Sequence, residues 1–325
     1  GSGEVRHVLR HERPGPVTAL TFSLDGSKVA TGGDKDDPFL RVWDARTGAP
    51  AHAPLRHPDR VGVVVFSPDG RHVLTGCSDG VVRVWDARGA AVRSSAPMGG
   101  GIASVVVVPD GQRAVVSCDI AGEAAVQVLD VPRAARVGPV HRLSGARAVD
   151  APGLSRDGSL AIISSLKGAR VISTRTGAVT GEFPEQSWNV SWRDLSPAGD
   201  RVATANDHGE ITLWDARTRT RLARQSFHGD HAAGAFSADG SRLLTWSLDG
   251  TSRVWDGWTL SPAGAPVRIG SPVMGGVFTA AGSVLLAAAD GRILVFDEAG
   301  MPAGKAMFHG AVAGVVAPWS FRSDG

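Results

Sequence analysis

The sequence predicts an all-β chain, a β-propeller of four-stranded antiparallel blades, and three observations carry that prediction. Short apolar runs are divided by Asp-Gly turns, as in Val61–Phe66, His72–Cys77 and Val81–Asp86 around Asp69-Gly70 and Asp79-Gly80. Asp-Gly between apolar runs is a strong hairpin signal, because Gly accepts the positive φ such turns need. The third run ends in Trp-Asp, and the unit returns at a fixed period. Asp44 to Asp86 is 42 residues, and Asp215 to Asp256 and Asp256 to Asp297 are 41 each. A sheet of this size cannot bury both its faces alone, so repetition at this period means stacked sheets around an axis.

The repeats follow in order. The first gives Phe22-Ser-Leu-Asp-Gly26, Val29–Gly33 and Leu40–Asp44; the second runs from His57 to Asp86. The third has Val108-Pro-Asp-Gly111, Val115–Cys118 and Val126–Asp130, and the fourth Leu154-Ser-Arg-Asp-Gly158, Ala161–Ser164 and Ala169–Thr174. The fifth has Leu195-Ser-Pro-Ala-Gly199 and Ile211–Asp215, the sixth Phe236-Ser-Ala-Asp-Gly240 and Ser252–Asp256, and the seventh Phe278-Thr-Ala-Ala-Gly282 and Ile293–Asp297. After each Trp-Asp comes a polar turn and another short apolar run, which supplies the fourth strand. No stretch holds a 3.6-residue apolar period, so helix has no place.

The Phe-Ser-Pro-Asp-Gly turn followed by Trp-Asp at a fixed offset resembles the WD-repeat family of β-propellers, from about Val5 to Gly325. Leu129 and Ser173 are read where Trp is expected, so repeats three and four are the worn ones. The resemblance implies buried tetrads of His, Ser or Thr, Asp and Trp: His57, Thr75, Asp79 and Trp85 in repeat two, and His228, Thr245, Asp249 and Trp255 in repeat six. Repeat one offers His11, Thr31 and Trp43, with its Asp left open by the longer loop Asp34–Asp37. Repeat five offers Thr204, Asp207 and Trp214 without a His. Such a set imitates a hydrolase triad, but its recurrence in several blades favours a structural clamp, since each buried polar group needs a partner.

Seven blades are favoured, with an eight-bladed or truncated ring as the alternative. Residues 1–4 read as a vector-derived or disordered leader, and 5–325 as one propeller domain. The end segments 5–10 and 309–325 have no settled blade: Val5–Arg10 looks like an outer strand, and Phe321-Arg-Ser-Asp-Gly325 like the opening of a further repeat.

By the same resemblance, partners bind on the face carrying the loops that enter the first strand and join the second to the third. Carried over position by position, the expected contacts are Arg60, Gly62, Ser78, Asp150, Leu166, Asn189, Asn206, Asp230, Leu248 and Met274, with Trp188 beside Asn189. The expected function is a non-enzymatic protein–protein scaffold or sensor that binds a protein or peptide. The competing reading is a propeller enzyme, or a small-ligand or metal protein, working in the central channel. The mostly Val, Ala and Gly first-strand positions disfavour it. The Arg-, Ala- and Gly-rich sequence resembles bacterial WD-repeat regions that follow a protein kinase or a signalling ATPase.

Composition narrows the rest. A formal net charge of +2, with the basic residues dispersed, gives no case for nucleic acid or a membrane surface. No apolar run is long enough to span a bilayer. Only Cys77 and Cys118 are present, which excludes a disulfide framework and prefers a reduced, cytoplasmic setting. No cofactor is expected. His228-Gly-Asp-His231 and Asp34–Asp37 are weak metal candidates, and Asn189-Val-Ser191 is a glycosylation sequon.

Overall fold

The computed structural model describes residues 7–11, 15–89, 93–143, 151–165, 168–184, 190–229, 231–279, 281–297, 299–303 and 307–308. They form seven four-stranded antiparallel sheets, each made of four strands consecutive in sequence. The fold is that of a β-propeller with seven blades. Blade one comprises Val17–Phe22, Lys28–Gly33, Phe39–Asp44 and Leu55–Arg56; blade two Val61–Phe66, His72–Cys77, Val82–Asp86 and Arg93–Ser94. Blades three to seven begin at Ile102, Gly153, Val190, Ala232 and Val273, and the last fourth strand is Met307–Phe308. Residues 7–10, four of the six in the expected outer strand Val5–Arg10, form no strand. Residues 309–325 lie outside the described part.

By contact the chain divides into two compact units, 1–152 with 173–178, and 153–172 with 179–325. In the first unit, Leu40, Val42, Val61, Val64, Phe66, Val73 and Trp85 form one core shared by blades one and two. In the second, Ile211, Leu213, Ala232, Leu243 and Trp255 do the same for blades five and six. Burial between sheets, rather than within one, is what holds such a repeat together.

The turn chemistry explains the recurring motif. Ser23 Oγ donates to Asp25 (2.6 Å) and accepts the Lys28 amide (2.9 Å), while Asp25 accepts the Ser27 amide (3.0 Å). Ser237, Asp239 and Ser241 repeat this set, and the Ser237 hydroxyl with the Ser241 amide holds Asp239 down to about 2. Gly26, Gly70 and Gly240 close these turns at φ of 68°, 65° and 72°. The Asp of Trp-Asp is likewise a turn acceptor: Asp256 takes the amides of Trp258 and Thr259, both at 2.9 Å.

In blade four the position of Trp belongs to Ile172, not Ser173. Ser173 accepts the Gly177 amide and donates its own to Ala178 as Asp44 does with Gly48 and Ala49, so it replaces the Asp. Ile172 is fully buried in the indole's place.

The first strands of blades one, two, three, five and seven shift register at their entry, after Val17, Val61, Ile102, Val190 and Val273. The extra residues are Thr18, Gly62, Ala103, Ser191 and Met274. A bulge re-aims the side chain it carries.

Candidate functional site

The recurring polar sets lie inside the blades. In blade six the Thr245 hydroxyl is the hub: Trp255 Nε1–H donates to it at 2.8 Å, and His228 Nε2 lies 2.8 Å away. His228 Nδ1 is 2.8 Å from Thr251 Oγ1, which donates to Asp249 at 2.5 Å. Because Thr251 spends its proton on Asp249, it accepts from His228 Nδ1–H. His228 Nε2 then accepts the Thr245 proton, and every donor in the chain points one way. Burial pushes the His228 imidazole down to about 4, which keeps it in this neutral form.

Blade two shares the hub but not the carboxylate. Thr75 Oγ1 accepts from Trp85 at 2.9 Å and bonds His57 Nε2 at 2.8 Å, but His57 Nδ1 faces the Leu55 carbonyl at 3.1 Å. Asp79 does not join His57; it pairs with Arg83 at 2.6 Å. Two residues account for this departure from the expected tetrad. Val81 stands where blade six has Thr251, so no hydroxyl links Asp to His. Arg253, the counterpart of Arg83, lies over the Phe227 and Trp255 rings instead, while Arg56 occupies the position of Phe227 in blade two. Burial pushes the His57 imidazole down to about 4 as well.

Blade one resolves its open position as Asp37. That buried carboxylate bonds His11 Nδ1 at 2.9 Å and receives Arg41 through both its oxygens, at 2.7 and 3.0 Å. Thr31 takes His11 Nε2 and Trp43 Nε1–H. In blade five Trp214 donates to Thr204 at 3.1 Å. Asp34 accepts the amides of Asp36 and Asp37, so this loop uses its carboxylates internally. Among the described residues, no group of three or more His, Cys, Asp or Glu could hold a metal ion. His228, one of the suggested ligands, has both ring nitrogens engaged.

The expected contact positions separate into three groups. Arg60, Ser78 and Leu248 are exposed, and Gly62 and Met274 are part-exposed on their bulges. Asn206 is a correction: it is 1% exposed, donates to Glu210 at 2.8 Å and accepts the amides of His208 and Glu210. Its side chain closes its own loop and is not available to a partner. Asp150, Leu166, Trp188, Asn189 and Asp230 lie outside the described residues.

Sequence reasoning missed Asp194, whose place in other blades is taken by Thr21, Val65, Gly153, Ala235 and Val277. Its carboxylate accepts the Phe236 amide of the next blade at 3.1 Å and the Leu195 amide at 2.9 Å. The residue keeps part of its surface in solvent, but the carboxylate is enclosed, and burial pushes it up to about 6. It also missed Arg201, fully buried between blades five and six. That guanidinium donates to the carbonyls of Gly240 (2.8 Å) and Gly257 (2.5 Å) and lies 3.5 Å from the Trp258 ring centroid. A carboxylate on a mostly apolar strand position was the available signal for Asp194, whereas the position of Arg201 is polar in most blades, as at Lys28, His72, Arg113 and Arg242, and gave none.

With this geometry in place, the chain can be compared with known proteins. The family model of the WD domain, G-beta repeat, matches residues 3–44 and 51–86. Those two segments match WD repeats. It is 25% identical over 264 residues to the human angio-associated migratory cell protein, covering 75% of this chain and 58% of that protein. It is 37% identical over 78 residues to mouse coronin-7, covering 23% of this chain and 8% of that protein. With the rice guanine nucleotide-binding protein subunit beta it shares 35% over 83 residues, 23% of this chain and 21% of that one. Thus the chain spans little more than half the length of the human relative and far less of the other two. These relatives are eukaryotic and lend no support to the expected bacterial membership. Among solved structures, the computationally designed Ika8 protein matches with a TM-score of 0.69 at 22% identity, over 90% of this chain and 87% of that one, a likeness of fold alone.

Proposed function

We propose that this WD-repeat chain is a non-enzymatic interaction module that presents the loops at one end of its blades to a protein or peptide. The observation that carries this is the division of polar groups. The His, Thr and Trp sets that could pass for catalysis are closed inside the blades, where Thr75 and Thr245 have no exposed surface. A nucleophile must reach its substrate, and these do not. At the same end of the blades, Arg60, Ser78 and Leu248 are exposed and differ from blade to blade, which suits recognition of one particular partner.

The rice relative is by name a subunit, and a subunit role for this chain fits the reading. A cytoplasmic setting fits the free, buried thiols of Cys77 and Cys118. Bacterial origin and fusion to a protein kinase or signalling ATPase rest on the compositional resemblance alone.

The test compares wild type with an Arg60→Glu/Leu248→Asp double variant as baits in the same lysate, quantified by mass spectrometry. Both positions are exposed, so the melting temperature should hold. A protein retained by wild type and lost from the variant is expected; identical captured sets would overturn the reading.

A further inference from the structure

At the far end of the strands from those loops, the blade interfaces differ in what fills them. Between blades five and six the space under the Ser-Ala-Asp-Gly turn is occupied by Arg201, which bonds Gly240 O and Gly257 O beneath Trp258. A Cβ on Gly240 would stand 2.9 Å from that guanidinium. The equivalent residues between blades one and two follow from register and turn bonds. Lys28 pairs with Asp44 as Arg201 does with Asp215. Ala87 N–H donates to Arg71 O as Gly257 N–H does to Ser241 O, and Arg88 N–H bonds Asp86 as Trp258 N–H bonds Asp256.

Here the filling is gone. Lys28 replaces the arginine and Arg88 the tryptophan, and a Cβ on Gly70 would meet nothing within 4 Å. What remains is a cleft of about 580 Å³ lined by Lys28, Arg71, His72 and Arg88 with Asp69 and Asp86, within the size of ordinary ligand pockets. The carboxylates are already engaged: Asp69 by the Ser67 hydroxyl and the Arg71 amide, Asp86 by the Arg88 amide. The cations are less so: Arg71 makes only a long ion pair with Asp69, at 3.9 Å, and among the described residues neither Lys28 nor Arg88 has an ion pair. Among the described residues, no side chain reaches the carbonyls of Gly70 and Ala87 as Arg201 reaches those of Gly240 and Gly257.

We propose that this cleft between blades one and two binds a phosphorylated peptide, the phosphate on Lys28, Arg71 and Arg88 and peptide N–H groups on the carbonyls of Gly70 and Ala87. Clustered guanidinium and ammonium groups bind phosphate by charge-assisted hydrogen bonds. The unfilled carbonyls call for hydrogen-bond donors, which a peptide's N–H groups supply beside its phosphate. This site is separate from the loop face, so either can fail without the other.

The probe is a fluorescein-labelled alanine heptapeptide with a central phosphoserine, followed by fluorescence anisotropy beside its serine and aspartate counterparts and inorganic phosphate as competitor. The phosphorylated peptide is expected to bind at least about ten-fold tighter than the serine form, and Arg88→Glu or Lys28→Glu to weaken it at least about ten-fold. A Lys28→Arg/Arg88→Trp variant rebuilds the filling seen between blades five and six and should abolish binding while melting no lower than wild type. Equal binding of phosphorylated and plain peptides overturns the proposal, as does full binding by that plugged variant. Should the plugged variant misfold, Arg88→Glu, an exposed change, decides instead. Inorganic phosphate binding as tightly as the phosphopeptide would overturn the peptide component, and preference for the aspartate form would make the ligand an acidic peptide instead.

Discussion

Thr245→Val removes one hydroxyl and almost no volume, which makes it a clean measure of the blade-six clamp. The hydroxyl accepts Trp255 Nε1–H and donates to His228 Nε2, both at 2.8 Å and both buried. Valine leaves an indole donor and an imidazole acceptor without partners, at about 1–3 kcal/mol each when the group cannot reach water. Some relaxation lowers the sum, so a loss of about 2–4 kcal/mol is expected. Thr245→Ser keeps the hydroxyl and loses a methyl, at about 1 kcal/mol. In blade five the only partner of Thr204 Oγ1 among the described residues is Trp214, at 3.1 Å. Thr204→Val should therefore cost about half as much, about 1–2 kcal/mol. Urea unfolding followed by tryptophan fluorescence gives the midpoints, and unchanged slopes would show that stability alone moved. The reasoning fails if Thr245→Val is no worse than Thr245→Ser, or if the two valine variants cost the same.

Two predictions concern pH. His57 and His228 titrate at about 4 in the folded chain against an ordinary 6.5, so the unfolded chain binds more protons between those values. Stability is full above pH 6.5 and falls toward pH 4 by about 3 kcal/mol per histidine, and a urea midpoint that stays flat from pH 7 to 5 would refute it. Asp194 acts in the opposite sense, because its folded pKa of about 6 lies above the ordinary 3.8 and its charged form is the costly one. Stability held back above pH 6 returns as pH falls toward 4, so Asp194→Asn should steepen the acid loss by about 2 kcal/mol, read from midpoints at pH 7 and 4.5.

The architecture was legible because it is written seven times: a period and a turn motif vote for the same sheet in every repeat, and a terminal Trp adds its vote in four of them. The interior of each blade was legible only where one residue decides. Thr75, Thr245 and their indoles follow from register, since Thr75 and Trp85 stand on paired strands. The carboxylate does not follow from register. Whether it reaches the imidazole depends on Thr251 against Val81, and on whether a ring such as Phe227 draws the nearby arginine away. Those are single-residue differences at or beside strand ends, with no periodic signal. Asn206 was misjudged for a related reason. Its position is exposed in blade two, at Ser78, but Glu210 four residues on supplies a partner that pulls Asn206 inside. The cleft between blades one and two was invisible because it is defined by what Lys28 and Arg88 fail to fill.

Gly62 tests whether a bulge position serves the fold or a partner. In blade one the bulged Thr18 places its hydroxyl 2.6 Å from Val61 O and 3.2 Å from Gly32 O, tying its strand to blade two. Ser191 does the same between blades five and six, with Ala232 O and Ala205 O at 3.4 and 3.3 Å. Gly62 occupies the same bulge in blade two, and a Cβ there would lie 3.8 Å from Ile102 O and 3.9 Å from Gly76 O, the equivalent pair of carbonyls. Those are ordinary contact distances, and Gly62 has no positive φ to defend. Gly62→Thr should therefore supply the missing hydrogen bond, worth about 0.5–1.5 kcal/mol net. It also reduces the freedom of the unfolded chain, worth about 0.4–1 kcal/mol. A gain of about 1–2 kcal/mol in urea unfolding is expected. A loss of stability would mean that the bulges differ and Gly62 is kept for the backbone. A gain would mean that the fold prefers threonine at this position, leaving the glycine to be explained by what approaches it from outside.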